Sequence, residues 1–244
     1  MQPINYDEIA AGYDRRYATN DFAGIEACLS RFLGRADSIA ELGCGTGHWL
    51  RLVRALPQSP VVVGLDRSRA MLERARPDSL LIQGSADHLP WAGASFDHVF
   101  CINALHHFLT HDAVFREAAC VLADSGAFMT IGLDPHSGHD QWWIYDYFPA
   151  ALNADRRRYP PTDRIREQLR RAGFAQTETI LAQHIPAQLA FDDAEARGVV
   201  DRHSTSQLVL LDDADWTEGL ARLQRERPVL RADLHLYATI GTLD

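Results

Sequence analysis

Two apolar rhythms alternate along this chain. Short continuous runs, Ser38–Leu42, Val61–Leu65, Ser79–Gln83, Ser95–Asn103 and Ala127–Leu133, read as strands buried on both faces. Between them apolar residues recur at helical spacing: Trp49, Leu52, Val53 and Leu56, then Arg69–Arg76, then Val114, Ala118, Val121 and Leu122 after a Thr110 cap. Strand–helix repetition of this kind predicts parallel strands joined by right-handed crossovers. Ahead of it, Tyr6, Ile9, Ala10, Tyr13 and Tyr17 mark one amphipathic helix, and Phe22, Ile25, Leu29, Phe32 and Leu33 a second that stops at Gly34.

The rhythm breaks after Leu133. Residues 134–161 open with Pro-His-Ser-Gly-His and then carry five aromatics in seven positions, Trp142 to Phe148. A helix over Thr162–Ala172, ended by Gly173 and clasped by Phe174, leads to a strand over Phe174–Ile185. A second irregular stretch, 186–212, includes a helix over Asp192–Val200. A helix over Asp213–Arg225 and a period-2 strand (Ala232, Leu234, Leu236, Ala238, Ile240) close the chain.

The first βα corner carries Glu41-Leu-Gly43-Cys44-Gly45-Thr-Gly47. Glycines between a strand and a helix allow left-handed backbone and close approach of a ligand, with loop N–H groups bared beside the helix end. The spacing is G-x-G-x-G, one residue short of the dinucleotide fingerprint. Glu41 suits a cation there and would repel a pyrophosphate. Asp66 ends the second run at the distance expected of an acid that holds two ribose hydroxyls. Its structural alternative is a helix N-cap, a task Ser68 can also perform.

Composition narrows the chemistry. The net charge is −9, which argues against a nucleic-acid partner. Every basic residue except the histidines is arginine; with no lysine, Schiff-base chemistry and the P-loop are excluded. Seven arginines between Arg156 and Arg171 read as a solvated face rather than an anion site. Cys28, Cys44, Cys101 and Cys120 lack C-x-x-C spacing and read as reduced thiols. Neither a signal peptide nor a membrane-length apolar run is visible, so a cytoplasmic setting without membrane partners is expected.

The glycine run resembles the first motif of class I S-adenosylmethionine-dependent methyltransferases of the small-molecule type, similar to those of ubiquinone and menaquinone biosynthesis. Gly84-Ser85-Ala86-Asp87-His-Leu-Pro-Trp91 resembles that family's adenine-bordering motif, with Ser85 where the family usually has Asp. Phe96-Asp97 and Ala172-Gly173-Phe174 extend the likeness. The resemblance implies one α/β domain over 1–244: a doubly wound, seven-stranded, mostly parallel sheet of order 3-2-1-4-5-7-6 with strand 7 antiparallel. It assigns cap helices to 1–36, the cofactor half to 37–133, and substrate-lid insertions to 134–161 and 186–212. The cofactor it implies is S-adenosylmethionine, with S-adenosylhomocysteine as product. Its contacts would come from Tyr13, Glu41, Gly43, Cys44, Gly45, Gly47, Asp66, Arg67, Met71, Ser85, Ala86, Asp87 and Asn103.

The expected acceptor is a small organic molecule, apolar or aromatic, met by Trp142, Trp143, Tyr145 and His106. Methyl transfer needs a base only for a protonated acceptor, and His107, then His139, are the candidates. His136 and His139 have a spacing two metal ligands could use, but no third ligand follows, so no metal is expected. Two other readings stay open: a non-catalytic cofactor-binding regulator and an NAD-type oxidoreductase. Whether the chain is a monomer or a homodimer is not legible.

Overall fold

The first apolar run, Ser38–Leu42 (β1), lies between its two neighbours, Val61–Asp66 (β2) and Phe96–Ile102 (β4). This is a computed structural model, and it describes Asp14, Tyr17 and residues 21–57, 60–75 and 80–244. Of the helix expected over Tyr6–Tyr17 only Asp14 and Tyr17 are described, and the helix expected over Arg69–Arg76 ends already at Leu72, with Arg76 outside the described residues. Pairing is parallel throughout this region: Ala40 faces Val63 and Val99, Leu65 faces Ile82 of β3 (Leu80–Gln83), and Val99 faces Phe128 of β5 (Leu122–Leu133). Strands β1, β2 and β4 are largely buried, which is why their sequences run apolar, whereas the edge strand β3 leaves Leu80 exposed.

The described chain divides into two compact units. The first is drawn from Asn5–Gly132, Thr162–Gln183 and Tyr237–Asp244. Its sheet runs β3-β2-β1-β4-β5-β8, where β8 is Val229–Thr242, and β7 (Gln176–Ala190) pairs with β8. Partners run in opposite senses, Ala175 just before β7 with Thr242 and Thr179 with Thr239, so the last strand is antiparallel as expected. The order therefore matches the expectation, with one addition: the two-residue strand β6, Gln141–Trp142, which no period-2 signal announced.

Helices α1 (Ala23–Leu33), α2 (His48–Arg54), α3 (Arg69–Leu72), α4 (His111–Val121) and α7 (Thr162–Arg171) also belong to the first unit. Phe100, Phe115 and Phe128 are completely buried in this unit. Burial of each such side chain contributes about 1.5–3 kcal/mol. Asp97, in the Phe-Asp pair, accepts from the backbone N–H groups of Asp37 and Ser38 and from the Ser38 hydroxyl, each at 2.9 Å, pinning β4 to the start of β1. Thr110 precedes α4 without a side-chain capping bond, a correction to the expected cap. Strand β5 starts five residues earlier than expected because Leu122 already pairs with Phe96, and Ser125 (φ 59°) absorbs the irregularity.

The second unit comprises Leu133–Pro161 and His184–Leu236. It holds β6, α5 (Trp143–Tyr147), α6 (Pro149–Arg158), α8 (Phe191–Ala196), α9 (Ser206–Val209) and α10 (Asp213–Glu226). Trp143, Ile144, Phe148, Phe191, Leu208 and Leu223 form its apolar core. The Phe148 and Trp216 rings stack at 5.5 Å, and Gly219 lies so close that a Cβ there would come within 2.3 Å of Phe148. The aromatic stretch is thus largely consumed in building this core.

Candidate active site

The chain moves outward from β1 to β3 and returns to β4 on the other side, leaving a crevice at the carboxyl ends of β1 and β4. The glycine corner sits there. Gly43, Gly45 and Gly47 have φ of 73°, 53° and 74°, the left-handed region that side chains resist. At Gly43 space also forbids a side chain, since a Cβ would stand 2.6 Å from that of Ala104. The expectation of bare loop N–H groups needs correction. Those of Gly43 and Cys44 donate to the Leu65 carbonyl at 2.7 and 3.1 Å, and that of Gly45 donates to Asp66 Oδ2 at 2.7 Å. The corner ties itself to the end of β2 and presents carboxylates rather than N–H groups.

Asp66 accepts a second bond, on Oδ1, from the Ser68 N–H at 2.8 Å, while Ser68 Oγ caps α3 by accepting from the Met71 N–H at 3.1 Å. Capping and carboxylate presentation are therefore divided between two residues. Each carboxylate oxygen has two lone pairs, so Asp66 can hold its loop and still accept from a ligand hydroxyl. Glu41 is 1% exposed. Burial, and then the Asp66 charge, push its carboxyl well above the usual range, against the pull of Arg51 and the Leu50 N–H. Its Oε2 is buried with no hydrogen-bond partner among the described residues. An unmatched buried carboxylate is costly, and a cationic ligand would relieve that cost.

At the end of β3 the Ser85 hydroxyl bonds to Asp87, which helps hold that carboxyl below its ordinary value, as does His88. Ala86 is buried, Met71 is buried at 1% exposure, and Arg67 is exposed. Asn103 ends β4 in the left-handed region (φ 51°), its N–H on the Ile131 carbonyl at 2.8 Å. Asn tolerates that conformation better than other side chains. Cys44 is buried, and its thiol is pushed far up by burial and by the Glu41 charge, so it is no nucleophile. Tyr13 lies outside the described residues. Two residues of the N-terminal stretch read as a cap reach this corner: Asp14 bonds to the Thr46 hydroxyl, and Tyr17 stacks on His48 at 3.7 Å.

His106 and His107 follow in a single 3₁₀ turn, Leu105–His107, both half-buried, their rings 3.8 Å apart. In the second unit Trp142 and Tyr145 are half-buried and meet edge to face at 5.2 Å, whereas Trp143 is buried. The Tyr145 hydroxyl donates to Asp155 at 2.8 Å. His139 is exposed, its ring 6.2 Å from that of His235. Three of the seven arginines in the run are taken up locally: Arg156 reaches the Pro135 carbonyl at 3.3 Å, Arg158 pairs with Asp155, and Arg171 with Glu167. Among the described residues no helix is long and apolar enough to cross a membrane.

The described corner residues fit S-adenosylmethionine on these grounds: an orphaned buried carboxyl for the positive end, Asp66 for a sugar diol, and a glycine surface without side chains. The same corner does not fit a dinucleotide, whose pyrophosphate would meet the buried Glu41 at a G-x-G-x-G turn one residue short of the dinucleotide fingerprint. Comparison with known proteins agrees. Residues 40–130 match the profile described as a methyltransferase domain. The chain is 30% identical to malonyl-[acyl-carrier protein] O-methyltransferase of Geobacter sulfurreducens over 69% of this chain and 68% of that protein. The same-named protein of Legionella pneumophila is 33% identical, but the match spans 40% of this chain and only about a third (36%) of that relative's length. Among solved structures, the YcgJ protein of Bacillus subtilis superimposes with a TM-score of 0.64 at 19% identity, covering 91% of this chain and 99% of that one.

Proposed function

The chain belongs to the class I S-adenosylmethionine-dependent methyltransferases, and from that membership we propose that it methylates a small organic acceptor with an apolar or aromatic body. The observation that carries the reading is the Glu41–Asp66 pair, two acids at adjacent strand ends, one of them buried with an unmatched oxygen. When bound, S-adenosylmethionine supplies a methyl group on a sulfonium sulfur; the acceptor's lone pair takes the methyl carbon while the broken bond's electron pair stays on sulfur, giving S-adenosylhomocysteine. Glu41 neutralises positive charge in the cofactor, Asp66 accepts from the ribose hydroxyls, and Ser85 with Asp87 and the backbone of Ala86 read the adenine edge. Arg67, Met71 and Asn103 complete the cofactor's surroundings.

Such a site gains rate chiefly from alignment and from exclusion of water. Where the acceptor carries a proton, His107 at the end of β4 takes it, and His106 beside it contacts the acceptor. Calorimetric titration with S-adenosylhomocysteine tests the cofactor half; no heat at millimolar ligand overturns the proposal. Release of S-adenosylhomocysteine is then followed over a panel of phenols, quinols, carboxylic acids and amines. Cofactor binding without turnover on any acceptor would make the chain a binding module instead. With an acceptor in hand, His107→Asn should lower kcat by about 10²–10⁴-fold with little change in KM. An unaffected kcat removes His107 from the reaction.

A further inference from the structure

Strands β7 and β8 bring together three side chains that lie far apart in the sequence. His184 of β7 contacts Asp233 of β8 through Nε2 and Oδ1. Asp233 and His235 stand two positions apart on β8 and so face the same side. The His184 and His235 rings stack at 4.7 Å, 15° from parallel. One ligand atom from each of the three lies within 4.8 Å of the others. At zinc bond lengths two ligand atoms on one ion can be no more than about 4.4 Å apart, so small side-chain rotations suffice to close the set. His184 is exposed and Asp233 and His235 are half-buried, which leaves both entry and room to rotate.

A fourth residue singles this cluster out from an ordinary surface ion pair. Asp140, just before β6, accepts from the His235 backbone N–H at 2.8 Å and lies 3.2 Å from its Nδ1. The Asp140 side chain is 4% exposed, and its Oδ2 is buried with no hydrogen-bond partner among the described residues. A carboxylate behind a histidine fixes the tautomer and the ring plane, the arrangement that supports metal-bound imidazoles. A nearby cation would also offset the cost of the unmatched oxygen. We propose that His184, Asp233 and His235 bind a divalent first-row transition ion, with Asp140 as the residue that orients His235.

Two imidazoles and one carboxylate leave coordination positions open, a donor set that suits zinc or ferrous iron rather than calcium or magnesium. His136 and His139, the pair whose spacing the sequence shows, carry no such expectation. His136 gives its Nε2 to the Tyr159 carbonyl at 3.0 Å, and His139 lies at the edge of the His235 patch. This site is independent of methyl transfer, and its failure would leave that reading intact.

The test is calorimetric titration of the metal-stripped full chain with Zn²⁺, and visible absorption on loading with Co²⁺. One ion per chain is expected, with a ligand-field spectrum. His184→Ala and His235→Ala should each weaken binding by more than the 10–100-fold typical of losing a supporting residue, and Asp140→Asn by about 10–100-fold. His203→Ala, an exposed histidine outside the cluster, should change nothing. Circular dichroism keeps loss of fold apart from loss of ligands, and Asp233→Asn provides a fourth variant close to the native shape. Absence of binding at millimolar Zn²⁺ overturns the proposal, as does stoichiometric binding that survives in the His184→Ala/His235→Ala double variant.

Discussion

Two carboxyl groups, one in each unit, are buried to the same degree and serve opposite ends. Asp155 is 0% exposed and fully met: Tyr145 and Gln207 donate to Oδ2 at 2.8 and 3.0 Å, and Arg158 donates to Oδ1. Glu41 is 1% exposed, takes the Leu50 N–H, and leaves Oε2 with nothing among the described residues. A buried acid surrounded by donors and a cation is a structural fastening. One left short of donors beside a second acid destabilises the ligand-free protein and is ready for a positive ligand. Fold and site in this molecule are told apart by satisfaction, not by burial.

That contrast can be broken first at Asp155. Asp155→Ala strands Arg158, whose side chain is only 10% exposed and whose Nε and Nη1 already lack partners among the described residues. Removing one member of a buried pair costs about 3–5 kcal/mol. Chemical denaturation should show that loss. A change below 1 kcal/mol would mean that the network does not hold the second unit. The corresponding break in the first unit is Gly43→Val, which adds a clash with Ala104 to a left-handed backbone. Overpacking of this sort costs about 1–3 kcal/mol. Binding of S-adenosylhomocysteine, measured by calorimetry, should vanish; a folded variant that still binds would refute the role given to the corner.

The two regions also differ in how far the chain announces them. Glu41, the three glycines and Asp66 fall within 26 consecutive residues, so strand, turn and acid could be read in order. The continuous apolar runs likewise gave the strand sequence, since parallel strands between helices have no polar face to confuse the pattern. The second unit is built otherwise. Asp155 and Gln207 are 52 residues apart, His184 and Asp233 49, Asp140 and His235 95. No spacing rule spans such distances. The Trp142–Phe148 stretch was visible as aromatic, but its period could not distinguish a lid from a core. Packing made Trp143 and Phe148 core and left Trp142 and Tyr145 half-exposed. Asp233-x-His235 carried the one local clue to the histidine patch, a shared strand face.

A smaller effect sharpens the contrast at Asp66. Asp66→Ala removes the acceptor proposed for the ribose hydroxyls, and bonds of that charged kind contribute about 1.5–3 kcal/mol. Cofactor affinity should therefore fall by about 10–150-fold. The variant also frees the Gly45 N–H, so a matching loss of thermal stability is expected without cofactor. Affinity equal to that of the parent protein would leave Asp66 as a fastener of the glycine loop only.

The smallest effect has the most telling sign. Glu41 holds its proton above the ordinary carboxyl value of 4.5 because burial and Asp66 disfavour its charge. A raised folded-state value means that its contribution to stability is complete below the unfolded-state value and is lost as pH rises through the folded one. Glu41→Gln removes that loss. The variant should melt with the parent protein below pH 4.5 and above it at neutral pH; a gain of about 1 kcal/mol would appear as roughly 2–4 °C in a chain of this size. The same substitution should weaken S-adenosylmethionine more than its uncharged product, because the carboxylate answers the sulfonium compound's extra positive charge. An unfilled acid at a ligand site must therefore stabilise the complex at the expense of the free protein. A Glu41→Gln variant that melts lower at neutral pH, or binds both ligands unchanged, would make Glu41 a second Asp155, and the distinction between the two carboxyls would be lost.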